Sequence, residues 1–205
     1  MKKIIFYTFI LLTFCNCQNK KEQTGSDSLE IKDINEVVEA VLIQDSLDVF
    51  CNHPDSTMIC SELKKLKIYI PPKTNNDNFV LIPKSDGIYI TSLLNSTIKN
   101  VTFFSSKDSL YLLEQNSNPQ KLKIKKAIID DLNTTTINEI KARRKKRQRS
   151  RFYEMTIPIF SLDRQSAYIE LDYQCGGLCG TGQVIFLKKI KGKWKIIFQW
   201  QNWIS

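Results

Sequence analysis

The sequence predicts an α+β fold, with an N-terminal helical region and a basic helix packed on a C-terminal antiparallel β-meander. Three observations carry this expectation. Ile34, Val37, Val38, Val41 and Leu42 recur at i, i+3, i+4, i+7 and i+8, the spacing of one apolar helix face. Thr136 and Glu139 form a capping box ahead of a second helix. From residue 152 onward the apolar pattern changes from the helical period of about 3.6 to the strand period of about 2.

Taken in order, the first helix is expected over residues 33–46, with Asp33 as its cap and Glu36 as the capping-box partner. Residues 47–64 hold Cys51, His53, Pro54 and Cys60 and read as a loop, with room for a short helix. Residues 66–70 alternate and then stop at Pro71 and Pro72, a short strand. An Asn-rich turn follows at 73–78, and a short helix is expected at 108–115. The second helix runs to about residue 149. Residues 153–160 form a strand that must lie at an edge or a bulge, because Pro158 has no N–H to give a ladder. Along 166–173, Ala167, Ile169 and Leu171 share one face; Tyr168, Glu170 and Asp172 share the other, where the two carboxylates read as solvated. Strands at 184–190 and 194–200, joined by a turn at Lys191 and Gly192, complete the meander.

The N-terminus carries an export signal. Lys2 and Lys3 precede an apolar run over residues 4–14, long enough for a signal peptide and too short to cross a bilayer core of roughly 30 Å as a helix. The run ends at Cys15 and Cys17, and a polar stretch follows. This resembles the lipobox of bacterial lipoproteins, which implies diacylglycerol on a cysteine thiol and cleavage just before it. Cysteine parity favours Cys17: Cys15 then leaves with the signal, and an even set remains in an oxidising compartment. The organisation expected is a signal peptide at 1–16, a flexible tether at 17–29 and one α+β domain at 30–205, held at the cell envelope by its lipid.

Cys51, Cys60, Cys175 and Cys179 allow three pairings, and proximity in sequence favours Cys51–Cys60 and Cys175–Cys179. The second pair closes a loop with four glycines in residues 175–182, whose freedom to adopt positive φ allows a sharp reversal. Residues 157–161 (Ile-Pro-Ile-Phe-Ser), the 175–182 loop (Cys-Gly-Gly-Leu-Cys-Gly-Thr-Gly), 192–195 (Gly-Lys-Trp-Lys) and 203–205 (Trp-Ile-Ser) together resemble a group of uncharacterised bacterial exported lipoproteins. That resemblance spans about half the chain, from near residue 104 to the end. It implies a closing β-meander and an envelope location, and it transfers no catalytic residue.

For function, the sequence favours a non-enzymatic binding or structural role. No catalytic elbow, metal-ligand motif or nucleotide fingerprint is present, and no catalytic residue, metal or cofactor is expected. The single histidine, His53, cannot build a multi-histidine site. The alternative is a hydrolase of envelope polymers using carboxylates that the sequence does not pair. Trp194, Trp200, Trp203 and Phe198 read either as sheet core or as the lining of a ligand groove. The net charge of +9 concentrates at residues 141–151, where eight of eleven are Lys or Arg. Arg143, Arg144, Lys145, Lys146 and Arg147 read either as a solvated face or as a dock for anionic lipid or an acidic polymer; an exported chain is not expected to meet nucleic acid.

Overall fold

The computed structural model describes residues 25–50, 57–73, 81–94, 97–98, 100–148, 150–176 and 179–205. It is a mixed α+β structure built around a seven-stranded sheet.

Helix α1 spans Gly25–Gln44, so it begins eight residues before the capping box expected at Asp33. Asp33 is not a cap. Its carboxylate lies 2.7 Å from Lys189 Nζ and 2.8 Å from Arg164 Nε, the latter an ion pair whose N–H is not aimed for a hydrogen bond. The apolar stripe is as expected: Ile34, Val37, Val38, Val41 and Leu42 are all buried.

Short strands follow: β1 (Met58–Cys60), β2 (Glu62–Lys64), β3 (Lys67–Tyr69) and β4 (Gly87–Tyr89). Helix α2 (Ile90–Leu93), β5 (Thr97–Ile98), β6 (Val101–Thr102) and helix α3 (Ser109–Glu114) come next. Then come β7 (Lys121–Lys123), α4 (Lys126–Ile129), β8 (Thr134–Thr135) and helix α5 (Ile137–Lys145). The C-terminal part is β9 (Phe152–Met155), β10 (Ile159–Phe160), β11 (Ser166–Gly176), β12 (Cys179–Ile190) and β13 (Lys193–Ile204).

The sheet order is β13-β12-β11-β9-β1-β8, with β10 also pairing β11. The meander is antiparallel as expected, but β1 joins it and runs parallel to both β8 and β9. The single strand expected at 153–160 is two, β9 and β10. Pro158 falls between them, where its missing N–H interrupts no ladder.

Both faces of the central strands are covered. On one, α1 packs its stripe on Ala167, Ile169, Leu171, Ile185, Leu187 and Trp194. On the other, Tyr168, Val184 and Phe186 pack with Leu66, Ile68, Leu93, Phe103, Phe104 and Leu112. Phe186 sits edge-on to Phe103 at 4.9 Å and to Tyr168 at 5.0 Å. Burying each such apolar side chain contributes about 1.5–3 kcal/mol.

Helix α5 starts as the sequence predicts. Thr136 Oγ1 accepts from Glu139 N at 3.2 Å, and Thr136 N donates to Glu139 Oε2 at 2.9 Å. The helix rests on the protein through Ile140, which packs with Met58 and Phe152. Residues 141–148 are exposed. No described helix is long and apolar enough to cross a membrane.

Candidate functional site

A cleft of about 840 Å³ opens where the second core ends, between the β11–β13 face and the segment carrying β4. Its floor is Tyr168, Glu170, Asp172 and Gln174, successive residues on one face of β11. Trp200 and Trp203 form one wall, with Lys64, Lys84 and Tyr89 opposite.

Asp172 is therefore buried and Glu170 partly buried, and the expectation that both stand free in solvent is corrected. Asp172 is only 8% exposed. An alternating strand has a wet face only when one side of its sheet is bare; β11 is central and covered on both sides.

Tyr168, Glu170 and Asp172 each have a defined partner. Asp172 pairs directly across the ladder with Glu154 of β9, a like-charge juxtaposition that is unfavourable alone. Lys64 resolves it: its Nζ lies 2.5 Å from Asp172 Oδ2 and 3.2 Å from Glu154 Oε2. Lys64 reaches this place because Ile157 N donates to Lys64 O at 2.7 Å, tying the end of β2 to the chain leaving β9. Burial works to lower the Lys64 pKa, yet the Asp172 and Glu154 charges and hydrogen bonds outweigh it and hold the ammonium above its ordinary value. The other oxygen of Asp172 accepts from Trp203 Nε1 at 3.0 Å. Glu170 Oε1 accepts from Tyr168 OH at 2.8 Å. Burial pushes the Glu170 carboxyl above its ordinary range; the Tyr168 hydrogen bond and the Lys64 charge oppose this, and the Asp172 charge adds to it.

The tryptophans divide between the sheet's two faces. Trp194 is buried in the core beneath α1, while Trp200 and Trp203 face the cleft. Residues 200 and 203 would point oppositely on a regular strand. An irregularity in the β12–β13 ladder between Gly182 and Gln183 leaves Asn202 unpaired and brings both indoles to one side. A second irregularity, between Phe186 and Leu187, separates them from Trp194. Trp200 stacks on Phe186 at 5.4 Å, and Phe198 is half-buried against the second core.

Of the loop glycines, Gly176 has φ +87° and makes the reversal expected. Gly182 has a different reason. A Cβ there would lie 1.8 Å from Trp203 Nε1, so its bare backbone is the surface on which the indole lies. Gly180 approaches the same ring, a Cβ there coming within 3.0 Å.

The cysteine expectations resolve in part. Cys175 and Cys179 form a disulfide. Cys51 and His53, like Cys15 and Cys17, lie outside the described residues, and Cys60 is buried in β1 with no disulfide among the described residues. Of the basic run, Arg143 to Arg147 are exposed, and they take no part in the cleft.

Sequence reading missed Lys64 altogether, because nothing local to Lys64 announces a carboxylate pair more than eighty residues away. Glu170 and Asp172 had a signal: apolar residues bracket them on a strand flanked by others, which points to burial on both faces. Compared with known proteins, the chain matches no protein family, no curated protein and no solved structure.

Proposed function

We propose that this chain is an exported envelope lipoprotein, lipidated at Cys17, whose domain binds a glycan in the cleft lined by Trp200, Trp203, Glu170 and Asp172. Removal of residues 1–16 as a signal peptide, a tether ahead of α1, which takes up residues 25–29 of the stretch expected as tether, and kinship with exported lipoproteins that end in the same meander belong to this reading. The observation that carries it is the composition of the cleft. Two indole faces stand beside a strip of hydrogen-bonding groups, Glu170, Asp172, Gln174 and Asn202. Sugar rings present flat C–H faces that stack on aromatic rings, and rims of hydroxyls that need such acceptors and donors. Lys64 and Trp203 hold Asp172 in place before any ligand arrives, which lowers the ordering cost of binding.

Calorimetric titration with soluble neutral and acidic oligosaccharides tests the reading. Binding by the wild type, weakened about tenfold or more by Trp200→Ala, is expected. No binding to any member of such a panel would sink it. Mass spectrometry of the mature N-terminus tests the anchor separately: acyl groups on Cys17 are expected, and an unmodified chain retaining Lys2 would overturn that part.

One observation favours a hydrolase as a second reading. Glu170 is biased toward its neutral form in a cleft that also holds Asp172, and pairs of carboxyls in unlike environments serve acid–base chemistry. In that case Glu170 gives its proton to the glycosidic oxygen as the bond breaks, water supplies the hydroxyl of the new end, and the proton that this water releases restores the Glu170 carboxyl. Both Asp172 oxygens are already engaged, which is why binding comes first. Cleavage of a bound oligosaccharide, abolished by Glu170→Gln with binding retained, would establish the enzyme.

A further inference from the structure

A second cavity, of about 650 Å³, lies at the far end of the same strand. Its walls include Arg144, Arg147, Ser150, Gln174 and the Cys175–Cys179 disulfide. Gln174 lines both cavities, so they adjoin along β11. At about 3.3 Å per residue, Cys175 is about 10 Å along the strand from Asp172.

The second cavity is cationic by construction. Among the described residues, no Asp or Glu lines it. Neither Arg144 nor Arg147 has a carboxylate partner among the described residues. Both come from the C-terminal end of α5, where the helix dipole alone would disfavour an anion. There, however, the carbonyls of Ala142, Arg143 and Arg144 accept from Lys146 N at 3.2 Å, Gln148 N at 3.0 Å and Arg147 N at 3.0 Å. Arg147 takes a left-handed conformation, φ 56°, as the chain turns off the helix. The helix end thus closes its own carbonyls and presents two guanidinium groups, each able to take a carboxylate or sulfate through paired N–H donors. The disulfide ties the opposite wall covalently.

We infer that the Arg144–Arg147 cavity is a subsite for an anionic substituent of the glycan held in the cleft, so that the ligand class is an acidic oligosaccharide. The inference rests on the glycan reading above. A bilayer would meet the exposed outer side of the whole basic run; the concave shape and the shared Gln174 favour a ligand that threads from one cavity to the other.

Calorimetry of the full chain with an alginate hexasaccharide, which carries a carboxylate on every ring, and with neutral cellohexaose tests it. The alginate probe is expected to bind at least about tenfold more tightly at low salt. That advantage should shrink at about 0.5 M salt. Arg144→Gln with Arg147→Gln should abolish the advantage and leave cellohexaose affinity and thermal unfolding unchanged. Equal affinity for the two probes, with both weakened by Trp200→Ala, would overturn the subsite and leave the cleft standing. Failure of both probes to bind would overturn the two together. Binding to phosphatidylglycerol vesicles that the double variant loses, with no preference for alginate, would overturn the subsite in favour of a membrane contact.

Discussion

Gly182 and Trp203 show how a single residue decides a site here. The hairpin glycines read as turn formers, yet the one at 182 is needed because an indole lies on its backbone. Gly182→Ala would place a methyl 1.8 Å from Trp203 Nε1. Trp203 must then leave Asp172, and a loss of about 1–3 kcal/mol in denaturant unfolding is expected, with a shift in tryptophan emission. An unchanged midpoint and spectrum would contradict the packing described. Glu170 gives a pH signature. Burial raises its folded pKa above the ordinary 4.5, so the folded state holds its proton more tightly than the unfolded chain does. Stability from this group is therefore greatest in acid and is lost as pH rises from about 4.5 through the folded value. Glu170→Gln should flatten that decline, and parallel stability–pH curves for the two proteins would show that Glu170 is not the cause.

At the scale of elements, α1 tests whether the apolar stripe anchors the helix. Leu42 is 3% exposed and Ile43 is 63% exposed. Leu42→Ala should cost about 2–5 kcal/mol, and Ile43→Ala should stay within about 0.5 kcal/mol. Equal effects on the urea midpoint would mean that α1 does not dock by this face. The helix is held at its C-terminal end as well: Gln44 Nε2 donates to Trp194 O at 2.9 Å, and Ile196 N donates to Gln44 Oε1 at 3.1 Å. Those bonds pair a helix with the edge of β13, which would otherwise be an open ladder. Helix α5 has a contrasting design. Its capping box fixes the start and Ile140 fixes the docking, and the last turns are exposed and basic.

For the whole molecule, Lys64 joins parts that are far apart in the chain. It brings β2 onto the carboxylates of β9 and β11, which face each other across the ladder. Lys64→Met should destabilise by about 1–3 kcal/mol near neutral pH, less than for a fully buried pair because the Lys64 side chain is 36% exposed. The folded pKa of Lys64 is raised, so its contribution is fully present below the ordinary 10.5 and fades as pH climbs through the folded value. A deficit that does not shrink as pH climbs above 10.5 would show that lost packing, not charge, is responsible.

What the sequence determined by itself is local. The apolar face of α1, the Thr136–Glu139 capping box, the Cys175–Cys179 pair and the period of the C-terminal strands are all written within a few residues, because helix turns, caps and short loops close between near neighbours. The mixed α+β class followed from those periods. The tertiary structure alone decided the rest. Asp33 became an anchor for Arg164 and Lys189 instead of a cap once the sheet brought them to it. Asp172 became buried and Glu170 partly buried in the cleft floor because elements pack on both faces of β11, which the pattern of one strand cannot record. Trp200 and Trp203 share a wall while Trp194 lies in the core because two ladder irregularities shift which residues face which way. The two bulges and the delivery of Lys64 depend on partners from 9 residues away, as for Leu187 and Ile196, to 108, as for Lys64 and Asp172, and their energies arise only when those partners are already in place.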